Sequence, residues 1–211
     1  SAVARWPAHT FAVCPRCGAF DRYGPAPDPP PCVLCAAAPP PFDAARSLFV
    51  YSGDVRAAIV ATKYAARPYP ADAVALRLCE TLSERWKDLI PDAARPAVVP
   101  VPAHPWKYFR RGFNLPALIA SRLSRHMGLP FDPLALSRTR ERVPQARLPG
   151  IRRHENVEGA FHAPRGRKVP QAILLLDDVY TSGATAEACA RALKSAGAES
   201  IVVVTVARAV P

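Results

Sequence analysis

No stretch of the 211-residue chain offers the roughly 20 consecutive apolar residues that a membrane span needs, so insertion into a bilayer is not expected. No apolar signal-type segment follows Ser1, so export is not expected either and a cytoplasmic location is, although a trimmed or altered start would leave the same first residue. There is no internal repeat, which sets aside repeat architectures. Neither a Gly-x4-Gly-Lys-Ser/Thr run nor a Gly-x-Gly-x-x-Gly run occurs, which sets aside the P-loop and the dinucleotide fingerprint. Acidic residues are scarce, 17 against 28 Lys and Arg, for a formal net charge of +11. What is present is globular in kind: half the residues are apolar, enough for one substantial core with a small appendage.

The positive charge is concentrated. Residues 101–153 hold eleven basic and two acidic side chains, and the remainder is close to balanced. Such a block favours a polyanionic or multiply phosphorylated partner, while solvated arginine-rich faces are the plainer explanation. Within it Trp106, Tyr108, Phe109 and Phe113 alternate with Lys107, Arg110 and Arg111. Cations for phosphates and rings for bases are the makeup of a single-strand groove, with Lys107, Tyr108, Arg110 and Arg111 as the DNA-binding candidates. Phe113 is expected to pack inward.

Cys14, Cys17, Cys32 and Cys35 form two Cys-x-x-C pairs, while Cys79 and Cys189 stand alone in helical patterns. Each pair turns two thiolates the same way, and two such turns suit tetrahedral zinc. Two disulfides are the alternative, which a reducing compartment disfavours. Cys79 and Cys189 read as small buried hydrophobes. The segment has little else to fold around, so metal would supply much of its folding free energy. The proline run at Pro39, Pro40 and Pro41 divides a module over 1–41 from a domain over 42–211.

The larger part alternates strand and helix. "SLFVYSG" reads as a strand, and a helix capped by Asp54 follows it and stops at Pro68 and Pro70. "ADAVALRLCETLSERWKDLI" reads as one long helix, "PAVVPVP" as a strand, "NLPALIASRLSRHMG" as a helix ended by Gly128, and "PFDPLALSR" as an edge strand. A long loop rich in Arg, Pro and Gly precedes the strand "AILLLDD", a helix over 184–195 and the strand "SIVVVTVAR". The alternation and the continuous apolar runs predict a parallel sheet covered on both faces.

"ILLLDDVYTSGAT" is the most informative stretch. Asp177 and Asp178 close a buried strand, where ligands gather in open α/β sheets. Thr181, Ser182, Gly183, Ala184 and Thr185 then enter a helix, and their amides and hydroxyls make a nest for one phosphate. Gly183 lets the backbone approach the anion. Two carboxylates beside that nest would repel a second phosphate and accept hydrogen bonds from a diol, which implies a sugar phosphate. An ordinary strand with an acidic turn is the alternative, and it predicts apolar or charged residues in the loop instead.

These thirteen residues resemble the phosphoribosyl pyrophosphate (PRPP) signature of type I phosphoribosyltransferases. With the four cysteines, "KY", "VPVP", "RRGFN", and a run of Gln145, Leu148, Arg152, Asn156, Gly159, Ala160 and Phe161, the chain resembles the ComF family, linked to DNA uptake in natural transformation. The resemblance implies an α/β fold of the type I phosphoribosyltransferase kind, a parallel sheet flanked by helices with a small N-terminal zinc-ribbon-like module. It implies PRPP bound with Mg²⁺, with Asp177 and Asp178 as the catalytic carboxylates. Lys107, Arg110 and Arg111 fall in the place of the pyrophosphate loop, and residues 138–153, with Arg152, in the place of the catalytic lid. For Arg111, pairing with an acid to hold the loop is an equal alternative. Single-stranded DNA and proteins of the uptake machinery are the implied partners. Three activities stay open: a PRPP-binding DNA-handling protein, an active Mg²⁺-dependent phosphoribosyltransferase with an unknown acceptor, and a non-enzymatic adaptor for a DNA-translocating partner.

Overall fold

The computed structural model describes residue 3 and residues 13–20, 29–64, 71–90, 95–139 and 159–210, without the side chains of Lys63, Tyr64 and Lys107. In chain order the elements are α1 (Val33–Ala37), β1 (Ala44–Val50), α2 (Gly53–Tyr64), α3 (Ala71–Glu84), β2 (Ala97–Pro100), α4 (Pro105–Arg111), α5 (Leu115–Met127), β3 (Ser137–Arg138), β4 (Phe161–His162), β5 (Ala172–Tyr180), α6 (Ala184–Ser195) and β6 (Ser200–Arg208). Four strands form a sheet in the order β1-β6-β5-β2, every pair parallel, and β3 and β4 make a separate antiparallel pair. The expected parallel α/β architecture is therefore present, with the four-cysteine cluster at its N-terminal side of the chain.

Alternate residues of the central strands serve opposite faces, as the period of two requires. Leu174 and Leu176 of β5, with Val202, Val204 and Val206 of β6, pack under α2, α3 and α5 through Ile59, Leu78, Leu82, Ile119 and Leu123. Ile173 and Leu175, with Ile201 and Val203, pack on the other face under Cys189, Ala190 and Leu193 of α6 and against Phe161. Strands buried on both faces read as near-continuous apolar runs, and the polar exception in β6, Thr205, is satisfied by Ser47 of β1 at 2.7 Å. Between the helices of the first face, Arg122 of α5 donates to Asp72 of α3.

Several expected boundaries shift. The helix expected through Ile90 stops at Glu84 and gives way to a 3-10 turn at Lys87–Leu89. Asp54 lies in the first turn of α2; the capping position belongs to Ser52, whose carbonyl accepts from the Arg56 amide. The "PFDPLALSR" stretch is not a continuous edge strand: Phe131 makes one parallel bridge to Val98, and Ser137–Arg138 turns away to pair with β4. The expected stop of α2 at Pro68 and Pro70 lies outside the described residues. Among the described residues, no helix is long and apolar enough to cross a membrane.

Candidate functional site

Strand β2 ends before its neighbour does. Pro100 pairs with Leu176, Val101 donates one more bond to the Leu176 carbonyl at 2.8 Å, and β5 runs on through Asp177, Asp178, Val179 and Tyr180. The sequence reading ended this strand at Asp178; pairing with β6 continues two residues further, to Tyr180 opposite Arg208. The stagger opens a cleft of about 380 Å³ beside the protruding end of β5, within the range of small-molecule sites.

Asp177, Asp178, Thr181 and Thr185 line this cleft together with Arg111, Arg138 and His104. Both carboxylates are half-buried, and Asp177 Oδ1 accepts the Asp178 amide at 2.8 Å. The loop after them leads into α6, whose N-terminal amides carry the positive end of the helix dipole. Among the described residues, no backbone carbonyl engages the amides of Thr181, Ser182, Gly183 or Thr185, and the Ala184 amide reaches only Ser182 Oγ at 3.5 Å. Gly183 holds φ at +89°. A side chain there would strike Tyr180, whose hydroxyl lies 2.5 Å from the position a Cβ would take.

Across the cleft, the segment after β2 is pinned by Asn114, which donates to the Val101 carbonyl at 2.9 Å. The aromatic and basic residues ahead of it form α4. His104 Nδ1 accepts the Trp106 amide at 3.2 Å, Pro105 opens the first turn, and Gly112 closes the helix in the left-handed region. Trp106, Tyr108 and Phe109 are 60%, 54% and 89% exposed, whereas Phe113 packs against the core as expected. Arg110 stacks over the Trp106 ring, 5.2 Å from its centroid. Arg111 turns to the cleft, and its Nε is buried without a hydrogen-bond partner among the described residues. Arg138 lies 5.1 Å from the Phe161 ring centroid. Lys107 belongs to α4, but its side chain, like Arg152 and the 140–153 part of the expected lid, lies outside the described residues.

The four cysteines converge. Their sulfur atoms all lie within 4.8 Å of one another. A tetrahedral site with zinc–sulfur bonds of about 2.3 Å has edges of about 3.8 Å, and Cys17 Sγ and Cys32 Sγ are 3.7 Å apart. The Cys32 amide points at Cys14 Sγ from 3.3 Å. Burial opposes ionisation of Cys14, but amide hydrogen bonds from Cys32, Cys17 and Arg16 outweigh it and bring the thiol down to about 7. Burial pushes Cys17 and Cys35 upward. A second thiolate in so small a space requires a cation, so the set is able to hold a metal such as zinc. Cys189 is buried, with its thiol pushed up by desolvation, and Cys79 is half-buried, in keeping with their reading as packing residues.

Comparison with known proteins gives this arrangement a family. The chain is 30% identical to the DNA utilization protein YhgH of Salmonella typhi over 206 residues, 95% of this chain and 86% of that one. Identity to the YhgH protein of Escherichia coli is 30% over 195 residues, 90% and 81% of the two chains. Competence protein F of Haemophilus influenzae is 32% identical over 115 residues, 54% of this chain and half of that one. No protein-family model matches. The chain belongs to the ComF family.

Three residues of this ComF-family protein were not singled out from its sequence. Arg46 of β1 sends Nη1 to the carbonyls of Ala45, Pro15 and Cys14 at 2.8, 3.0 and 3.4 Å. Arg208 of β6 donates to the Cys17 carbonyl at 2.7 Å, and its guanidinium lies over the ring of Tyr180. Each reaches a partner far away in sequence, so no local spacing announces it. For α4 there was a signal: His104 followed by Pro105, with Gly112 after the last turn, is a helix start and stop.

Proposed function

We propose that this ComF-family protein binds PRPP with Mg²⁺ in the cleft at the end of β5, contacts single-stranded DNA along α4, and acts in the cytoplasm in DNA uptake. Zinc in the four-cysteine module is structural in this reading, and the module over 1–41 and the domain over 42–211 are its two parts. The observation that carries the reading is that Asp177, Asp178, Thr181 and Thr185 line one cleft with Arg111 and Arg138, and that the amides of the loop between the two threonines have no backbone partners among the described residues. Thr181, Ser182, Gly183, Ala184 and Thr185 would hold the 5′-phosphate, and Asp177 and Asp178 would accept the ribose hydroxyls. Arg111 lines the cleft with its Nε buried and without a hydrogen-bond partner among the described residues, and in this reading it would donate to a diphosphate oxygen. By the family resemblance, Lys107, Arg110 and Arg152 would supply further positive charge to the diphosphate.

Mg²⁺ bound with PRPP beside Asp177 and Asp178 would supply charge neutralisation for the departing diphosphate. In a transferase, positive charge builds on the ribose ring as pyrophosphate leaves C1. Asp177 and Asp178 would orient and polarise that ring. No residue of the cleft is required as a covalent nucleophile, and the acceptor would enter from the open side.

The names of the relatives concern DNA utilization and competence, and a DNA contact in this chain is supported by three exposed rings beside Arg110 on α4. Calorimetric titration of PRPP with Mg²⁺ into the full chain, repeated with a single-stranded oligonucleotide present, tests both. Saturable heat that disappears in the Asp177→Asn, Asp178→Asn double variant is expected. Absence of PRPP binding sinks the cleft reading, and pyrophosphate release on adding an acceptor would establish the transferase. Binding of neither ligand would leave the adaptor, a partner of uptake-machinery proteins.

A further inference from the structure

A chain of contacts outside the cleft runs from the four-cysteine module to the phosphate loop. It begins at the first Cys-x-x-Cys turn, where the Cys17 carbonyl accepts Arg208 Nη1 at 2.7 Å. The same guanidinium lies 4.3 Å from the ring centroid of Tyr180, its direct register partner across the β5–β6 ladder. Tyr180 is 6% exposed. Its hydroxyl sits against Gly183, filling the space where any other residue would carry a Cβ. The links are a backbone carbonyl, a planar cation, an aromatic ring and a glycine backbone. None is a flexible apolar side chain that would absorb a displacement, and close-packed interiors transmit such displacements.

We propose that Arg208 and Tyr180 are positioning residues that tie metal occupancy of the four-cysteine module to the shape of the anion loop at residues 181–185. The inference rests on the pentose-phosphate reading of that loop. A metal held by Cys14 and Cys17 fixes the turn between them and so fixes the direction of the Cys17 carbonyl. Arg208 is then held flat on Tyr180, and the phenol stays seated under Gly183, keeping the loop amides convergent. Without metal the turn loses its common anchor, the guanidinium loses its acceptor, and the ring is free to move from beneath the loop. Because coupling between two sites is reciprocal, the sugar phosphate tightens the metal by the same factor.

The test uses the full zinc-loaded chain, its Arg208→Met and Tyr180→Phe variants, and a zinc-selective chelator that leaves Mg²⁺ in place. Calorimetry with PRPP and Mg²⁺ reads the loop, and fluorine NMR of fluorotyrosine-labelled protein, assigned with Tyr180→Phe, reads Tyr180. Zinc removal should weaken PRPP binding by about 5- to 20-fold in the parent and by less than about two-fold in Arg208→Met. It should also shift the Tyr180 resonance in the parent only. Zinc-loaded Arg208→Met, with zinc content unchanged, should already bind PRPP about 5- to 20-fold more weakly; this arm holds even if zinc removal unfolds the chain. An unchanged PRPP affinity in that variant overturns the proposal, as does a Tyr180 resonance indifferent to zinc. A resonance that follows zinc in a parent that binds no PRPP would keep the mechanical link and sink the sugar-phosphate reading instead.

Discussion

Replacing Gly183 by alanine tests the geometry of the anion loop without altering any charge. Gly183 has φ of +89°, and left-handed backbone costs an L-residue about 1–2 kcal/mol. The added Cβ would also lie 2.5 Å from the Tyr180 hydroxyl and 3.0 Å from its Cζ. Tyr180 has little room to retreat, because it is buried and Arg208 lies over its ring. Overpacking of this sort costs about 1–3 kcal/mol, so the total loss should be about 2–5 kcal/mol. Urea unfolding of the metal-loaded protein, followed by circular dichroism, measures it. Tyr180→Phe removes the hydroxyl contact but leaves the one at Cζ, so alanine at 183 should cost about 1 kcal/mol less in that background, a coupling typical of touching residues. A Gly183→Ala protein within about 0.5 kcal/mol of the parent, or a pair of substitutions that simply add, would refute the placement of Tyr180 beneath the loop.

Asp177→Asn with Asp178→Asn should lower PRPP affinity by about 100-fold or more, since each hydrogen bond to a charged group contributes about 1.5–3 kcal/mol; calorimetry checks it, with the unfolding midpoint as a control for the fold. Arg46→Met removes a half-buried donor shared by the carbonyls of Ala45, Pro15 and Cys14, and should cost about 2–4 kcal/mol and speed zinc loss to a chelator. Phe109→Ala should leave stability within about 0.5 kcal/mol, because the ring is 89% exposed, yet weaken binding of a fluorescent single-stranded oligonucleotide by about 1–3 kcal/mol if a base stacks there. Charge reversal at Arg110 and Arg111 should flatten the salt dependence of that binding, measured by anisotropy.

The parts of the molecule that could be read from sequence are those whose cause is local. The runs over 173–176 of β5 and 201–204 of β6 are apolar because both faces are covered, and α5 carries its own stop in Gly128. The cysteine spacing was enough to bring four sulfurs together. What escaped depends on partners far along the chain. The tail of β5 is held as a strand by β6, through Val179 opposite Ala207 and Tyr180 opposite Arg208, so a sequence reading that stopped at the acidic pair had no reason to continue. The helix expected from Ala71 to Ile90 is amphipathic throughout, but beyond Glu84 only Trp86, Leu89 and Ile90 touch the core and they remain partly exposed. Weak burial there does not compel another helical turn.

The end of β5 does two things because of one offset in register. Strand β2 stops opposite Leu176, and the cleft lies beside the part of β5 beyond it, lined by Asp177 and Asp178. On its other edge Asp177, Val179 and Tyr180 stay paired with β6, which keeps Tyr180 fixed between Gly183 and Arg208. The end of β5 beyond β2 is therefore held by its ladder to β6. In the proposed role of residues 181–185, a loop that presents several amides to one anion would need such a rigid support, since each amide contributes only while it points inward. The support reaches as far as the four-cysteine module, through the Cys17 carbonyl on Arg208 and the Arg16 carbonyl on the Ala45 amide at 2.7 Å. Gly18 permits that contact, because a Cβ there would lie 2.4 Å from the Ala45 carbonyl oxygen, which belongs to a strand and cannot yield. The module thus bears on β1 and on the end of β6 that pairs with the tail of β5, and by the proposed link its folding and the order of the loop are parts of one mechanical problem.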